Sequence, residues 1–366
     1  MNGKYELLMD DTIQVQDGPQ TRTLYRIRAL ADIGDEVMAD DLGGYVEGEW
    51  NLAAEGLAWV ADEARVYGQA QVFGEALVAD RARVYGDAVV AVRAWIHDEA
   101  EVFGSARISG EGMVSGNAKV YGSAEVSMRA AIGGNAEVFD NAVVFGTSEI
   151  GGNARIYGHA QVHQESSVIG NGHVYGSTEL WAGHVSGFGR IYGSAVLVGG
   201  STSGSATVYG NARIQHAAVS EGAAVYDSAK VSAQAVVSGS ARVFGDAEVS
   251  DGAEIAGFAR VFDCAEVSGA SHVLDRAWVY GNASVRDGSS VQGIAKVYDR
   301  AQVIGASTVN NDAEIYGKAI VSGGSIVMDN PRIFGNAVVT DGARIDGDVL
   351  IAGDERVSGK ESSPTY

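Results

Sequence analysis

Histidine is the side chain that changes charge nearest neutrality, so a general base is sought among the seven in this chain: His97, His159, His163, His173, His184, His216 and His272. They are scattered except between His159 and His184, a stretch that also holds Trp181. His163 and Trp181 are 18 residues apart, the period of the repeat described below, and are expected to touch. His163, His173 and His184, with Trp181, are therefore where catalysis is looked for first, although a histidine on the face of a repeat is more often plain surface than a base. The single Cys264 sits between Asp263 and Ala265. With no base placed beside it, it reads as an unreactive thiol, and one cysteine excludes a disulfide framework or a cysteine zinc cluster. No Walker-type loop, nucleophile elbow or metal-spaced acidic motif occurs, so neither a metal nor a resident cofactor is expected.

What positions these residues is a six-residue phrase repeated from Ala64 to about Val357, as in Asn117-Ala-Lys-Val-Tyr-Gly122. A Val or Ile anchor recurs every six residues (Val66, Val72, Val78, Val84, Val90, Ile96), and a small residue stands two places before it (Ala64, Ala70, Ala76, Ala82). In a strand these two share the inner face, and the residues flanking the anchor point outward. The turn-forming pairs that follow, such as Gly-Asn or Asp-Arg, suit sharp corners. Such a strand buries its anchor only by stacking on copies of itself. Aromatic residues count the hexads per coil: sixteen fall between Tyr67 and Phe334, spaced by 18 except for three steps of 17 between Tyr175 and Tyr226. The sequence thus predicts an all-β, triangular parallel β-helix with 18 residues per coil and about 16–17 coils, a rod about 75–80 Å long at the usual strand spacing. The short steps are predicted at Leu180–Val185, Ser203–Val208 and Ile214–Val219.

Residues 1–43 read as a cap built on a hairpin, Tyr5 to Val15 and Thr21 to Leu30 about a Gln16-Asp-Gly-Pro19 turn, which covers an otherwise unpaired strand edge. Residues 44–357 are the repeats, and 358–366 a polar tail. Pro331, at a small-residue position, is expected to remove one ladder hydrogen bond. The 47 acidic against 26 basic residues give a formal charge of −21, which makes DNA and anionic membranes poor partners. With no long apolar run and no leader-like start, a cytoplasmic, non-membrane protein is expected. The acidity serves solubility in the simplest reading; mimicry of nucleic acid is a second.

Because the aromatic residue follows the anchor, it points outward, and all sixteen fall on one face. The residue before the anchor there is often cationic, as at Arg65, Arg83, Arg155, Arg190 and Arg260. The rings are expected to stack, with guanidinium groups over their neighbours. Tyr157, Tyr175, Tyr192, Tyr209 and Tyr226, with Arg155, Arg190 and Trp181, form the expected binding face, for another protomer, a glycan or a protein. An apolar patch on the third face (Leu77, Ala79, Trp95, Met113, Ala131) suits a trimer contact.

The phrase resembles that of the hexapeptide-repeat, LpxA-like superfamily, in which a small residue follows the aliphatic anchor by four places, as in Val120-Tyr-Gly-Ser-Ala124. The resemblance covers about residues 44–357 and implies left-handed coils. The start of the chain (Tyr25-Arg-Ile-Arg-Ala-Leu-Ala-Asp-Ile-Gly34, Asp41-Leu-Gly-Gly-Tyr-Val46, Gly56-Leu-Ala-Trp-Val60) resembles YdcK-like proteins and related phage or prophage proteins, to which acyltransferase activity is ascribed from the fold. That likeness implies a trimer, a histidine base near a subunit interface and acetyl-CoA lying along the coils. Enzymes of this type also extrude a loop from a coil, and no insertion follows Val66 here. The reading favoured is therefore a rigid, acidic, noncatalytic rod for assembly or binding, as a dimer, trimer or protein complex, with an acetyltransferase as the alternative.

Overall fold

Two-residue strands joined by two-residue corners are the unit of the computed structural model, which describes residues 3–359. Arg65–Val66, Gln71–Val72 and Leu77–Val78 are consecutive strands, and each pairs in parallel with the strand one coil on: Arg65 with Arg83, Gln71 with Val89, Leu77 with Trp95. Three strands per coil make three faces, and the chain is an all-β solenoid of about 17 coils with about 18 residues each. The anchors and the alanines two places before them are buried, most at 0% exposure. Where the small residue is polar, its hydroxyl closes the corner. Ser148 donates to the Phe145 carbonyl, Ser166 to that of His163 and Ser307 to that of Ile304, at 2.6–2.8 Å.

Two units are distinguished, Met1–Ala182 and Gly183–Tyr366. In the first, β1 (Tyr5–Asp17) and β2 (Gln20–Ala29) form the antiparallel hairpin, with a bulge between Leu8 and Thr12. β2 pairs antiparallel with β3 (Leu42–Val46), and β3 pairs in parallel with Arg65–Val66. The hairpin thus feeds directly into the aromatic face. Here the next strand is reduced to a parallel bridge of Leu52 to Val72, and buried Asn51 completes it: its amide donates to the Gly68 and Ala70 carbonyls and its oxygen accepts from the Glu47 and Gly48 N–H groups. In the second unit the coils run to Arg356–Ser358, where Glu355 occupies a small-residue position, is exposed, and leaves Val357 half-buried. The expected tail at 358–366 lies outside the described residues from 360 onward.

Two expectations are corrected. The second short step is not Ser203–Val208. Thr202 is the inward residue, buried and in register with Val185 and Val219, so the five-residue step is Leu197–Thr202. All three short steps therefore follow the same face, at Leu180, Leu197 and Ile214; a threonine in an aliphatic position hid the register. Pro331 also removes no bond between coils. Small residues at its position donate their N–H to the carbonyl three back in their own corner, as Ala313 does to Asn310 at 3.4 Å, whereas the Pro331 carbonyl still accepts from Glu314 at 2.9 Å.

Each corner contains a residue with positive φ, often Gly and often Asp. The aspartates do more than tolerate that conformation. Among the described residues, ten acidic corner residues, including Asp62, Asp80, Asp140, Asp227 and Asp299, accept the backbone N–H of the residue 18 positions on at 2.8–3.2 Å. This satisfies a donor that the inter-coil ladder leaves free. Asp227→Ala loses the acceptor for Gly245 and keeps a β-carbon at φ +58°. It is predicted to lower stability by about 1–2 kcal/mol, with Asp227→Asn losing less. Denaturant melts of the three proteins check this, and an alanine variant as stable as the parent contradicts it.

Candidate functional site

The outward aromatic rows are built by the corner geometry, since the residue after an anchor is held between strand and turn and has little freedom to turn away. In the first unit the rings from Tyr67 to Tyr175 stack with centroids 4.7–5.0 Å apart and planes within 1–4° of parallel. In the second, those from Tyr192 to Phe334 do the same at 4.8–4.9 Å and 1–6°. These distances are those of offset stacking. The first ring, Tyr67, is buried with Val15 and Leu24 of the cap and Tyr45 of β3; the other rings are partly exposed. Burial among neighbours pushes the Tyr67, Tyr121, Tyr209 and Tyr280 phenols upward, and Tyr298 to about 12, with the Glu314 carboxylate adding to the effect.

The cations beside the ladder are not placed as expected. Where a glutamate stands one coil away in the row they pair with it: Arg83 and Lys119 with Glu101, Arg155 with Glu137, Lys296 and Arg332 with Glu314. No guanidinium lies over a ladder ring among the described residues; the cation–π contacts are Arg26 on Tyr45, Arg260 on Trp278 and Arg276 on Phe258. The reason is steric. A ring stacked on both sides has no free face, and a carboxylate one coil away is a better partner. Glu101 also accepts from the Tyr85 hydroxyl at 3.0 Å, so the row and the ladder brace each other. Arg190 is exposed, in register with Thr207.

His163 and Trp181 touch as predicted, with centroids 3.9 Å apart and planes 4° from parallel. Phe145, which the sequence reading did not single out, meets the edge of His163 at 4.3 Å; it lies 18 residues before His163, and that spacing was the available signal. His163 is only 4% exposed, and neither ring nitrogen has a hydrogen-bond partner. It is a member of a short second stack rather than an open base. His173 is half-buried on the aromatic face in register with Arg155, while His184 is half-buried on the third face beside Ser201. The three candidate bases thus occupy three different faces. The third-face patch is in register as Leu77, Trp95, Met113 and Ala131, with Trp95 exposed.

Two further groups lie beyond those expectations: the Lys4 contact spans 49 residues, whereas Asp80 and Asp98 stand one period apart with His97 adjacent, so spacing is the available signal for the second. Lys4 is buried, donates to the Ala53 carbonyl at 3.0 Å, and is lowered to about 8 by desolvation. Asp80, His97 and Asp98 are the set among the described residues whose atoms converge closely enough to hold one metal ion. His97 Nδ1 lies 3.3 Å from Asp98 and 4.0 Å from Asp80, although both carboxylates already serve corner N–H groups.

Repeated short strands, inward aliphatic anchors and stacked outward rows define a β-solenoid repeat protein. A family model described as YdcK Beta solenoid repeat matches residues 206–222, one coil of the second unit, and with the geometry supports a β-helix repeat family. Comparison with curated proteins finds no match.

Burial lowers the His163 imidazole below its ordinary value, and the nearby Glu179 opposes this only in part. A proton therefore binds the unfolded chain more readily than the folded one. The stability is complete above about pH 6.5, the ordinary imidazole value, and declines as pH falls below it. Melting temperatures of the parent and of His163→Phe, measured from pH 7.5 to 5, are predicted to diverge, with the parent falling faster; parallel curves contradict this.

Proposed function

We propose that this solenoid is a noncatalytic scaffold for assembly or binding, working in the cytoplasm as a homo-oligomer or with a protein partner. The observation that carries the reading is the uniformity of the outward rows. From Arg65 onward a strand begins every five or six residues with no inserted loop among the described residues, so side chains are held in register one coil apart. A half-exposed row fixed in this way presents a surface with little conformational entropy left to lose on binding. The dispersal of His163, His173 and His184 over three faces supports it as well. The acidity has a structural use at the corners, which weighs against a nucleic-acid mimic.

The second reading, an acetyl-CoA-dependent transferase with left-handed coils of the hexapeptide-repeat type, rests on the resemblance and on His173, half-buried beside Arg155 and near the stacked Tyr157 and Tyr175. Calorimetry with acetyl-CoA, run with light scattering on the same sample, separates the two. The scaffold reading predicts no saturable heat and one defined oligomer. Saturable binding that is lost in His173→Ala or His184→Ala contradicts it and supports the transferase.

A further inference from the structure

One stretch of the second unit departs from the pattern of the rest. On the corner leading into the aromatic face, positions spaced by 18 hold Ser240, Phe258, Arg276, Ile294 and Asp312. Beside them, on the strand, stand Arg260, Trp278 and Lys296 in register. The two rows border an open groove of about 430 Å³. Phe258 is 61% and Ile294 48% exposed, where neighbouring coils carry small or polar residues. Lys296 pairs with Glu314 at 3.0 Å. Arg260 and Arg276, by contrast, have no carboxylate partner among the described residues, and lie instead over Trp278 at 5.0 Å and Phe258 at 5.8 Å. In a chain of charge −21, two guanidinium groups without a carboxylate partner, set beside exposed apolar side chains and next to Arg242 in register, form a locally positive, desolvating patch. Trp, Arg and Phe are also residues enriched where binding energy concentrates or at interfaces.

We propose that this groove docks an acidic, apolar segment of a partner protein, its carboxylates on Arg260 and Arg276 and one large apolar side chain against Phe258 and Ile294. The guanidinium edges remain free for bidentate pairing. One face of Trp278 is covered by Arg260, and Lys296 follows in register on the next coil, so the ring offers an edge and not the open face that a sugar would stack on. A long polyanion would meet the net negative charge beyond the patch, whereas a short segment is shielded from it over a screening length of about 8 Å at physiological salt.

The proposal rests on the scaffold reading and is tested separately from it. A fluorescein-labelled Glu-Leu-Glu-Phe-Glu peptide, titrated into the full chain, is expected to give saturable anisotropy that weakens as salt is raised. Affinity is expected to fall about tenfold or more in the Arg260→Glu/Arg276→Glu variant and in Phe258→Ser, both surface changes, and to be unchanged in Arg81→Glu. No saturation, equal binding of Lys-Leu-Lys-Phe-Lys or of Glu-Ser-Glu-Ser-Glu, or a self-association that Phe258→Ser abolishes would each overturn it, the last by giving the groove to a second copy. Acetyl-CoA titrated into the same sample distinguishes the failures. A flat response to both ligands overturns the groove alone, and saturable acetyl-CoA binding overturns the scaffold reading.

Discussion

The hydrogen bond from a backbone N–H to a carbonyl in the next coil, as from Arg65 to Ala82 at 2.9 Å, is the interaction on which everything else depends. Strands of two residues have almost no internal stability, so each coil exists because its neighbour satisfies its backbone. The bond also fixes the advance from coil to coil. Side chains 18 residues apart are then forced into rows, and whatever chemistry the sequence repeats is presented as a line. The short coils obey the same rule: Arg190 donates to Ala206 at 3.0 Å, and the lost residue is absorbed in a corner.

Two consequences follow from that advance. The strand spacing is close to the distance at which offset aromatic rings attract, so the ladder satisfies its own faces and leaves edges and hydroxyls outward. Charges one coil apart are likewise near enough to pair, which turns a basic row into an alternating one wherever glutamate intervenes. Where it does not, around Arg260 and Arg276, the guanidinium groups turn to aromatic rings. The acidic corners are the other half of the same arrangement: a carboxylate in a left-handed corner reaches the free N–H of the next coil, so part of the net negative charge is structural.

Most of this was legible in the sequence because a period is read from position alone. Val66, Ala64 and Tyr67 announce core, spacer and surface, and the contact between His163 and Trp181 followed from their separation of one coil. The misreadings came where identity outweighed position. Thr202 is an anchor that its polar side chain disguises, although five-residue corners after Leu180 and Ile214 point to the same face. Adjacent arginine and aromatic residues suggest cation–π pairing by type alone, but the ring faces here are occupied by their stacked neighbours. The burial of His163 lay further off, since it needed Phe145 as well as Trp181, and the corner carboxylates needed backbone geometry that no residue pattern carries.

If register is the organising constraint, removing one full period must be tolerated and removing half a period must not. Deletion of residues 281–298 joins Tyr280 to Asp299 and preserves every row. Deletion of nine residues from the same coil sends anchors to corners. Cooperative thermal unfolding followed by circular dichroism is the direct test. The whole-coil deletion is predicted to melt as a folded β protein close to the parent, and the half-coil deletion to lose cooperativity. Equal damage from both would contradict the account.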